Sequence, residues 1–346
     1  MRAVRRFVGQ AILAAAVGFS VATLNAAPIS GVYFFGDSLT DMGNAALLNP
    51  ATLRSPVPYP ATPYTPVYVP PWQNPYVTSN RFTNADTWAA AFASALGFAG
   101  AAVPSGAGGN NYAVGGASVV PYTDPPVPPP SAAEQLAAFR ATHGGASGSF
   151  DPTALYVVGA GGNDLRSILS GDISPSTGVT GIVGGLATMA QELISWGATR
   201  IVIWDAPDVT LSPSFQAAVS EGIITPPQAQ AFLDLINFIN GQIMMLDALP
   251  GVDVFDFTEL FRDVVKDPSK YGLLDVSSPC GWDVVYGATN GACTQAFLFW
   301  DGVHPTSAGH QIIANAMFAF VPEPGTVALL VAALILLAWT RRRTHA

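Results

Sequence analysis

Val32-Tyr-Phe-Phe35-Gly-Asp-Ser38-Leu-Thr-Asp41 passes within ten residues from an unbroken apolar run to a cluster of small and polar side chains. An apolar run without polar alternation is what a strand buried on both faces requires. A glycine directly after it is where such a strand turns toward a helix. A serine at that turn lies at the carboxyl edge of a parallel sheet, where open α/β sheets bind ligands. Ser38 with Asp41 three residues on also matches a helix N-terminal capping box, and taken alone the stretch supports either reading.

Outward from this stretch, strands and helices alternate. Further strands are predicted at Ala154–Val158, Arg200–Trp204 and Val252–Phe257. Helices are predicted from Asp86 to Leu96, stopped by Gly97, and over Ser131–Thr142 and Val183–Trp196. Thr225-Pro-Pro227 opens a long helix toward Leu249, since proline suits the first helical turn, and a last helix runs from Thr306 to Phe320. This order predicts one α/β domain with a central parallel sheet covered on both faces. Ser55–Pro75, rich in Pro and Tyr, reads as an ordered surface loop. With Trp72 it could wall an apolar pocket or be purely structural.

Both ends read as addresses. Arg2, Arg5 and Arg6 precede the apolar run Ala11–Leu24 and the small residues Asn25, Ala26 and Ala27, the layout of a signal peptide over residues 1–26. A retained membrane anchor is the alternative. After Val321-Pro-Glu-Pro-Gly325 comes the uncharged run Thr326–Thr340 and then Arg341, Arg342 and Arg343, which fits a tail (321–346) held in a membrane with its arginines in the cytoplasm. Residues 27–320 are left as the body, placed outside the cytoplasm. The formal net charge of −9 includes those six arginines, so the body is more acidic still and offers no basic patch for nucleic acid. The two cysteines, Cys280 and Cys293, read as a disulfide in an oxidising compartment and lack the neighbours of a zinc site.

A serine nucleophile needs a base. Of four histidines, His345 is in the tail, His143 lies in a Gly-rich loop with no acid nearby, and His310 falls inside the last helix. His304 stands in Asp301-Gly-Val-His304, after the apolar Phe297-Leu-Phe-Trp300. Across that short turn Asp301 can reach one imidazole nitrogen while the other faces a substrate. A surface turn with an exposed histidine is the plainer reading of the same residues. Developing negative charge on an attacked carbonyl needs fixed donors, and two Gly-rich segments could supply them: Gly108–Ala117 and Gly159-Ala-Gly-Gly-Asn163-Asp164. Tyr112 and Trp300 lie near these residues in sequence and read as core.

Taken together, Gly-Asp-Ser-Leu near the front, Asn111-Tyr-Ala-Val-Gly-Gly116, Gly161-Gly-Asn-Asp164 and Asp301-Gly-Val-His304 occur in the order of the four blocks of the GDSL (SGNH) hydrolases, and the chain resembles that family from about Val32 to Ala316. Asn80-Arg-Phe-Thr-Asn84 and Gly197–Trp204 add to the likeness. The resemblance implies a three-layer α/β/α sandwich of flavodoxin-like character and a secreted carboxylic ester hydrolase working through an acyl-enzyme. Its roles carry over as Ser38 nucleophile, His304 general base then acid, and Asp301 its orienter. The oxyanion donors would be the N–H groups of Ser38 and Gly116 and the amide of Asn163, with Gly115 the rival to Gly116. No cofactor or metal is implied. The substrate would be a small-molecule, lipid or acylated-glycan ester. A non-catalytic matrix or surface binding protein on the same scaffold is the alternative. The tail resembles a PEP-CTERM sorting signal of Gram-negative bacteria, which implies reading by an exosortase-type enzyme and a place in the periplasm, envelope or extracellular matrix.

Overall fold

The computed structural model describes residues 28–48, 80–122, 129–144, 150–280 and 296–321. The proposed leader, the tail beyond Val321, the Pro/Tyr loop 55–75 and Cys293 lie outside the described residues. Gly31–Phe320 forms one compact unit. Among the described residues no helix is long and apolar enough to cross a membrane, and no cysteine is free; Cys280 is buried.

In chain order the elements are β1 (Val32–Gly36), α1 (Asn44–Leu48), α2 (Trp88–Ala95), α3 (Ala132–His143), β2 (Leu155–Gly159), α4 (Gly162–Ser170), α5 (Pro175–Val179), α6 (Gly185–Ser195), β3 (Ile201–Trp204), α7 (Pro213–Ser220), α8 (Pro226–Ile243), β4 (Val252–Phe255), α9 (Phe257–Lys266), β5 (Asp275–Pro279), β6 (Phe297–Phe299) and α10 (Ser307–Phe320). The first four strands form a parallel sheet in the order β1-β2-β3-β4, with Val32 opposite Leu155, Val157 opposite Val202 and Ile201 opposite Val252. A short parallel pair, β5 with β6, is separate.

Successive side chains of each strand enter opposite layers, as the two-residue period requires. Phe35, Tyr156, Val158, Ile203 and Val254 join one apolar cluster with Leu136 of α3, Leu186 of α6 and Ile239 of α8. On the other face Phe34 meets Trp88 and Phe92 of α2 edge-on, Trp204 lies against Trp88 and Phe257, and Phe255 meets Phe320 of α10. Helices therefore cover both faces, giving the three-layer α/β/α arrangement.

Residues 110–114 run as an extended segment along the free side of β1. Phe34 N–H donates to Asn110 O, and Tyr112 and Val114 donate to Phe34 O and Gly36 O. In space the order is segment 110–114, β1, β2, β3, β4. The chain therefore goes from β1 to one side, then crosses to the other. β1 stands at a topological switch point, and ligands of open α/β sheets bind beyond the carboxyl ends of the strands at such a point.

Local sequence accounts for several boundaries. Ser131 and Glu134 form a reciprocal capping box at α3. Thr225 and Gln228 do the same for α8, with Pro226 in the first turn. The predicted strand to Phe257 stops at Phe255, because the Asp256 side chain accepts from Glu259 N–H and starts α9. Gly159–Asp164 is only half a loop: Gly162 already opens α4, with Gly161 at φ 126° leading in. The helix predicted from Val183 begins as a π-turn over Thr180–Gly184. His143 is not in a loop but is the last residue of α3, packed among Phe139, Tyr33 and Tyr112.

Candidate active site

The turn after β1 begins at a glycine that admits no side chain. Gly36 has φ 154°, and a Cβ there would lie 2.2 Å from Gly159 O. The strand ends approach this closely only because position 36 is glycine; a Cβ on Gly159 would instead meet the Trp204 ring at 3.1 Å. Both backbone groups of Gly36 are held by one side chain: Gln135 of α3 accepts from Gly36 N–H at 2.8 Å and donates to Gly36 O at 2.8 Å.

Asp41 does not form a capping box with Ser38. Its Oδ1 accepts from Gly43 N–H and Asn44 N–H, both at 2.7 Å, and its Oδ2 from Ala45 N–H at 3.1 Å, so it caps α1. The same Oδ2 takes Gly115 N–H at 2.8 Å. Asn44 donates to Asn111 O and Ala113 O, and Asn111 donates to Thr40 O at 2.7 Å. These bonds knit the β1 turn to the segment beside it.

The Ser38 hydroxyl is thereby left free of the turn. Its Oγ lies 2.8 Å from His304 Nε2. His304 Nδ1 lies 2.7 Å from Asp301 Oδ2. A carboxylate only accepts, so the ring hydrogen sits on Nδ1 and Nε2 accepts from Ser38. Asp301 Oδ1 meanwhile accepts from Val303 N–H at 2.7 Å and His304 N–H at 2.6 Å, which fixes the acid across the short turn. All three side chains are buried, Asp301 almost completely.

Of the proposed amide donors, Ser38 and Asn163 line one cleft with His304. Asn163 Nδ2 donates to Ala117 O at 2.9 Å, while Arg166 donates to Asn163 Oδ1 at 3.4 Å. One partner accepts and the other donates, so the amide has a single orientation, and among the described residues its second Nδ2 hydrogen has no acceptor. The hydrogen bonds bear on the rivalry between Gly115 and Gly116. Gly115 N–H is committed to Asp41, whereas among the described residues Gly116 N–H has no acceptor. Gly116 takes φ 84°, between Gly115 tied to the β1 turn and Ala117 tied to Asn163. Ser38 N–H is likewise without an acceptor among the described residues, because Thr40 and Asp41 N–H share Asp37 O and Leu39 N–H takes Asp37 Oδ1.

A cleft opens at Ser38 and His304, lined also by Asn163, Arg166, the loop after β3 and the start of α9. Asp37 lines the cleft and is pushed up by burial to about 6, and two further buried carboxyls are raised for the same reason, Asp164 to about 6 and Asp205 to about 7. Asp164 keeps partners in Val119 N–H and the Tyr122 hydroxyl, the latter at 2.6 Å. His310 is on α10 and is pushed down to about 3 by burial; its Nδ1 accepts from Trp88 N–H. It serves the packing of α2 on α10. Tyr112 bonds Thr142 or His143 and is core, as expected, whereas Trp300 is only partly buried, packed against the small cluster of Ala45, Phe82 and Val114.

Sequence reasoning missed two groups. One is Gln135, which looks like any polar helix residue. The other is Phe82-Thr83-Asn84, noted only as a familiar block. Phe82 lies against the His304 ring with centroids 5.4 Å apart, Thr83 Oγ1 donates to Pro305 O at 2.9 Å, and Asn84 Oδ1 accepts from Ser307 N–H at 2.7 Å. Three successive residues thus grip the loop that carries the imidazole.

The profile of the GDSL-like lipases and acylhydrolases matches residues 32–317, from the first residue of β1 into α10. The chain belongs to that family. Among GDSL relatives, the thermolabile hemolysin of Vibrio parahaemolyticus is 26% identical over 307 residues, covering 84% of this chain and 63% of the hemolysin. Esterase EstA of Pseudomonas aeruginosa is 26% identical over 193 residues, 52% of this chain and 28% of EstA. The GDSL chain thus spans less than two thirds of either relative. A solved acetylxylan esterase from Geobacillus stearothermophilus, crystallised as a catalytic mutant, aligns with TM-score 0.42 and 15% identity over 85% of this chain and 95% of its own.

Proposed function

We propose that this GDSL chain hydrolyses carboxylic esters through a serine-bound acyl-enzyme. The observation that carries this reading is the unbroken line Asp301–His304–Ser38, at 2.7 and 2.8 Å, supported by the N–H groups of Ser38 and Gly116, which have no acceptor among the described residues. Ser38 Oγ attacks the acyl carbon as its proton passes to His304 Nε2. Asp301 stabilises the imidazolium that forms. The carbonyl oxygen, now negative, takes hydrogen bonds from Ser38 N–H, Gly116 N–H and the Asn163 amide, donors already oriented before reaction. His304 then gives its proton to the departing alkoxide, which leaves as the alcohol. A water loses a proton to the same nitrogen, attacks the acyl-serine, and frees the acid and Ser38. Every transfer is a proton or an acyl group, so no redox partner enters the balance.

Incubation of the purified chain with a short aryl ester tests this. Ser38→Ala should abolish hydrolysis, and a serine-directed phosphonate should label the wild type at Ser38 only. Hydrolysis persisting in Ser38→Ala would overturn it, and an unlabelled, inactive wild type would leave a binding protein on this scaffold.

The leader over 1–26, the tail over 321–346 and a Cys280–Cys293 disulfide complete the proposal as an exported protein whose tail is held in, or cut at, a membrane. Intact mass of the protein from cell envelopes tests all three. Loss of residues 1–26 and a mass two hydrogens lighter than the dithiol are the expected results.

A further inference from the structure

The cleft at Ser38 continues along the carboxyl edge of the sheet. Past Asn163, its walls are Pro207, Val209 and Leu211 after β3, Phe257 and Phe261 of α9, and Phe299 of β6. Val209 and Leu211 are apolar and yet partly exposed, in the short 3₁₀ turn Val209–Leu211.

That turn is rigidly built. Asp208 Oδ1 accepts from Thr210 N–H at 3.2 Å, and Asp208 Oδ2 takes both Nε and Nη2 of Arg262, at 2.8 and 2.7 Å. Gln216 donates to Thr210 O at 2.6 Å, and the Ser212 hydroxyl donates to Val209 O at 2.7 Å while accepting from Phe215 N–H. The polar side chains of the wall are thus committed to each other. They present few groups to the hydroxyls of a sugar, whereas the apolar faces of Val209, Leu211 and Phe261 are already held in place. A preorganised wall loses little freedom when a ligand settles on it.

An acetyl group adds a single methyl to the carbonyl, too little to cover a wall made by Pro207, Val209, Leu211, Phe257, Phe261 and Phe299.

We propose that this wall receives a linear fatty acyl chain, so that the enzyme prefers medium-chain acyl esters to acetyl esters, with Val209 and Leu211 setting the length. This rests on the esterase reading above. The direction follows from the sheet order. The acyl carbon is held between Ser38 after β1 and Asn163 after β2, so its substituent continues toward the ends of β3 and β4. The alcohol faces His304, which must protonate it. Each methylene laid on an apolar wall should raise kcat/KM by roughly three- to fourfold until the wall is filled.

Two substrate series on the full chain decide it. One keeps p-nitrophenol as the alcohol and runs from acetate through butyrate to octanoate. The other keeps acetate and lengthens the alkyl alcohol from ethyl to octyl. The expected result is a rise of at least about tenfold in kcat/KM from acetate to octanoate in the first series and a flat second series. Leu211→Trp and Val209→Trp should each lower the octanoate-to-acetate ratio by about tenfold or more, while Leu211→Ala shifts the optimum to a longer chain. Both positions are partly exposed, and melting curves identify a variant that fails to fold. A preference for acetate, a ratio unmoved in both folded Trp variants, or a rise confined to the alcohol series would overturn the proposal while leaving a Ser38-dependent esterase in place. Turnover of no ester at all would remove the esterase reading and this one together.

Discussion

The amide of Asn163 meets an acceptor, Ala117 O, on its nitrogen and a donor, Arg166, on its oxygen. A donor oriented before reaction stabilises charge without reorganising when the charge appears. Asn163→Ala should lower kcat by about 10²–10³ with a smaller change in KM, read by steady-state kinetics on the best ester. A KM effect alone would mean the amide only binds substrate. Asp205 makes a different case. Burial pushes it up to about 7, and its Oδ1 accepts from Thr258 N–H at 3.0 Å. The native state therefore holds a proton here that the unfolded chain, titrating near 3.8, has lost. Asp205→Asn keeps the acceptor and removes the ionisation. It should match the wild type in melting temperature near pH 3 and exceed it at pH 8.5, where the difference in stability is on the order of 1–4 kcal/mol.

Two elements act through position rather than chemistry. Residues 82–84 grip the His304 loop by a ring face and two hydrogen bonds. Thr83→Val removes the donor to a buried carbonyl, Pro305 O, a loss of about 1–3 kcal/mol. It should lower kcat about tenfold by loosening the imidazole, with fluorescence melting showing a protein that still folds. Unchanged kcat in a destabilised protein would reduce the grip to a structural tie. The other element is the parallel pair β1 and β2, whose carboxyl ends meet glycine to glycine. Gly36→Ala would set a Cβ 2.2 Å from Gly159 O, and backbone cannot yield cheaply there. Gly36→Ala should give insoluble or molten protein, whereas Gly31→Ala, with no atom within 4 Å of its added Cβ, should express normally. Expression and near-ultraviolet circular dichroism separate the two.

The whole molecule carries several buried carboxyls above their ordinary range: Asp37 and Asp164 at about 6 and Asp205 at about 7. A group raised on folding contributes stability that is complete below its unfolded value and is lost as pH rises through the folded one. His310 opposes them. Lowered to about 3, it contributes stability that is complete above 6.5 and is lost as pH falls toward 3. Three protons against one make the carboxyls dominate between about pH 5 and 8, so the melting temperature should fall over that interval. Calorimetry across it is the check, and a rising curve would mean that these acids are better solvated than their burial implies.

Local chemistry written in the chain determined much of this protein. The apolar runs at Val32, Leu155, Ile201 and Val252 are strands in any context that buries both faces. Pro226 and the Ser131–Glu134 pair start helices by bonds within one turn. Asp301 reaches His304 because only two residues separate them. These interactions are short in sequence, so they are legible there. The start of α9 at Asp256 and of α4 at Gly162 were not, because strand propensity in one case and turn propensity in the other hid a cap. What tertiary structure alone decided is the meeting of Ser38 with an imidazole 266 positions away. It also placed the acceptor of Gly115 N–H on Asp41, 74 positions earlier, the bond on which the proposed choice of Gly116 rests. The grip of residues 82–84 on the His304 loop and the apolar wall after β3 belong to the same class. Each depends on which strand ends lie side by side, and that order is fixed by the packing of two helical layers on the sheet, not by any neighbour along the chain.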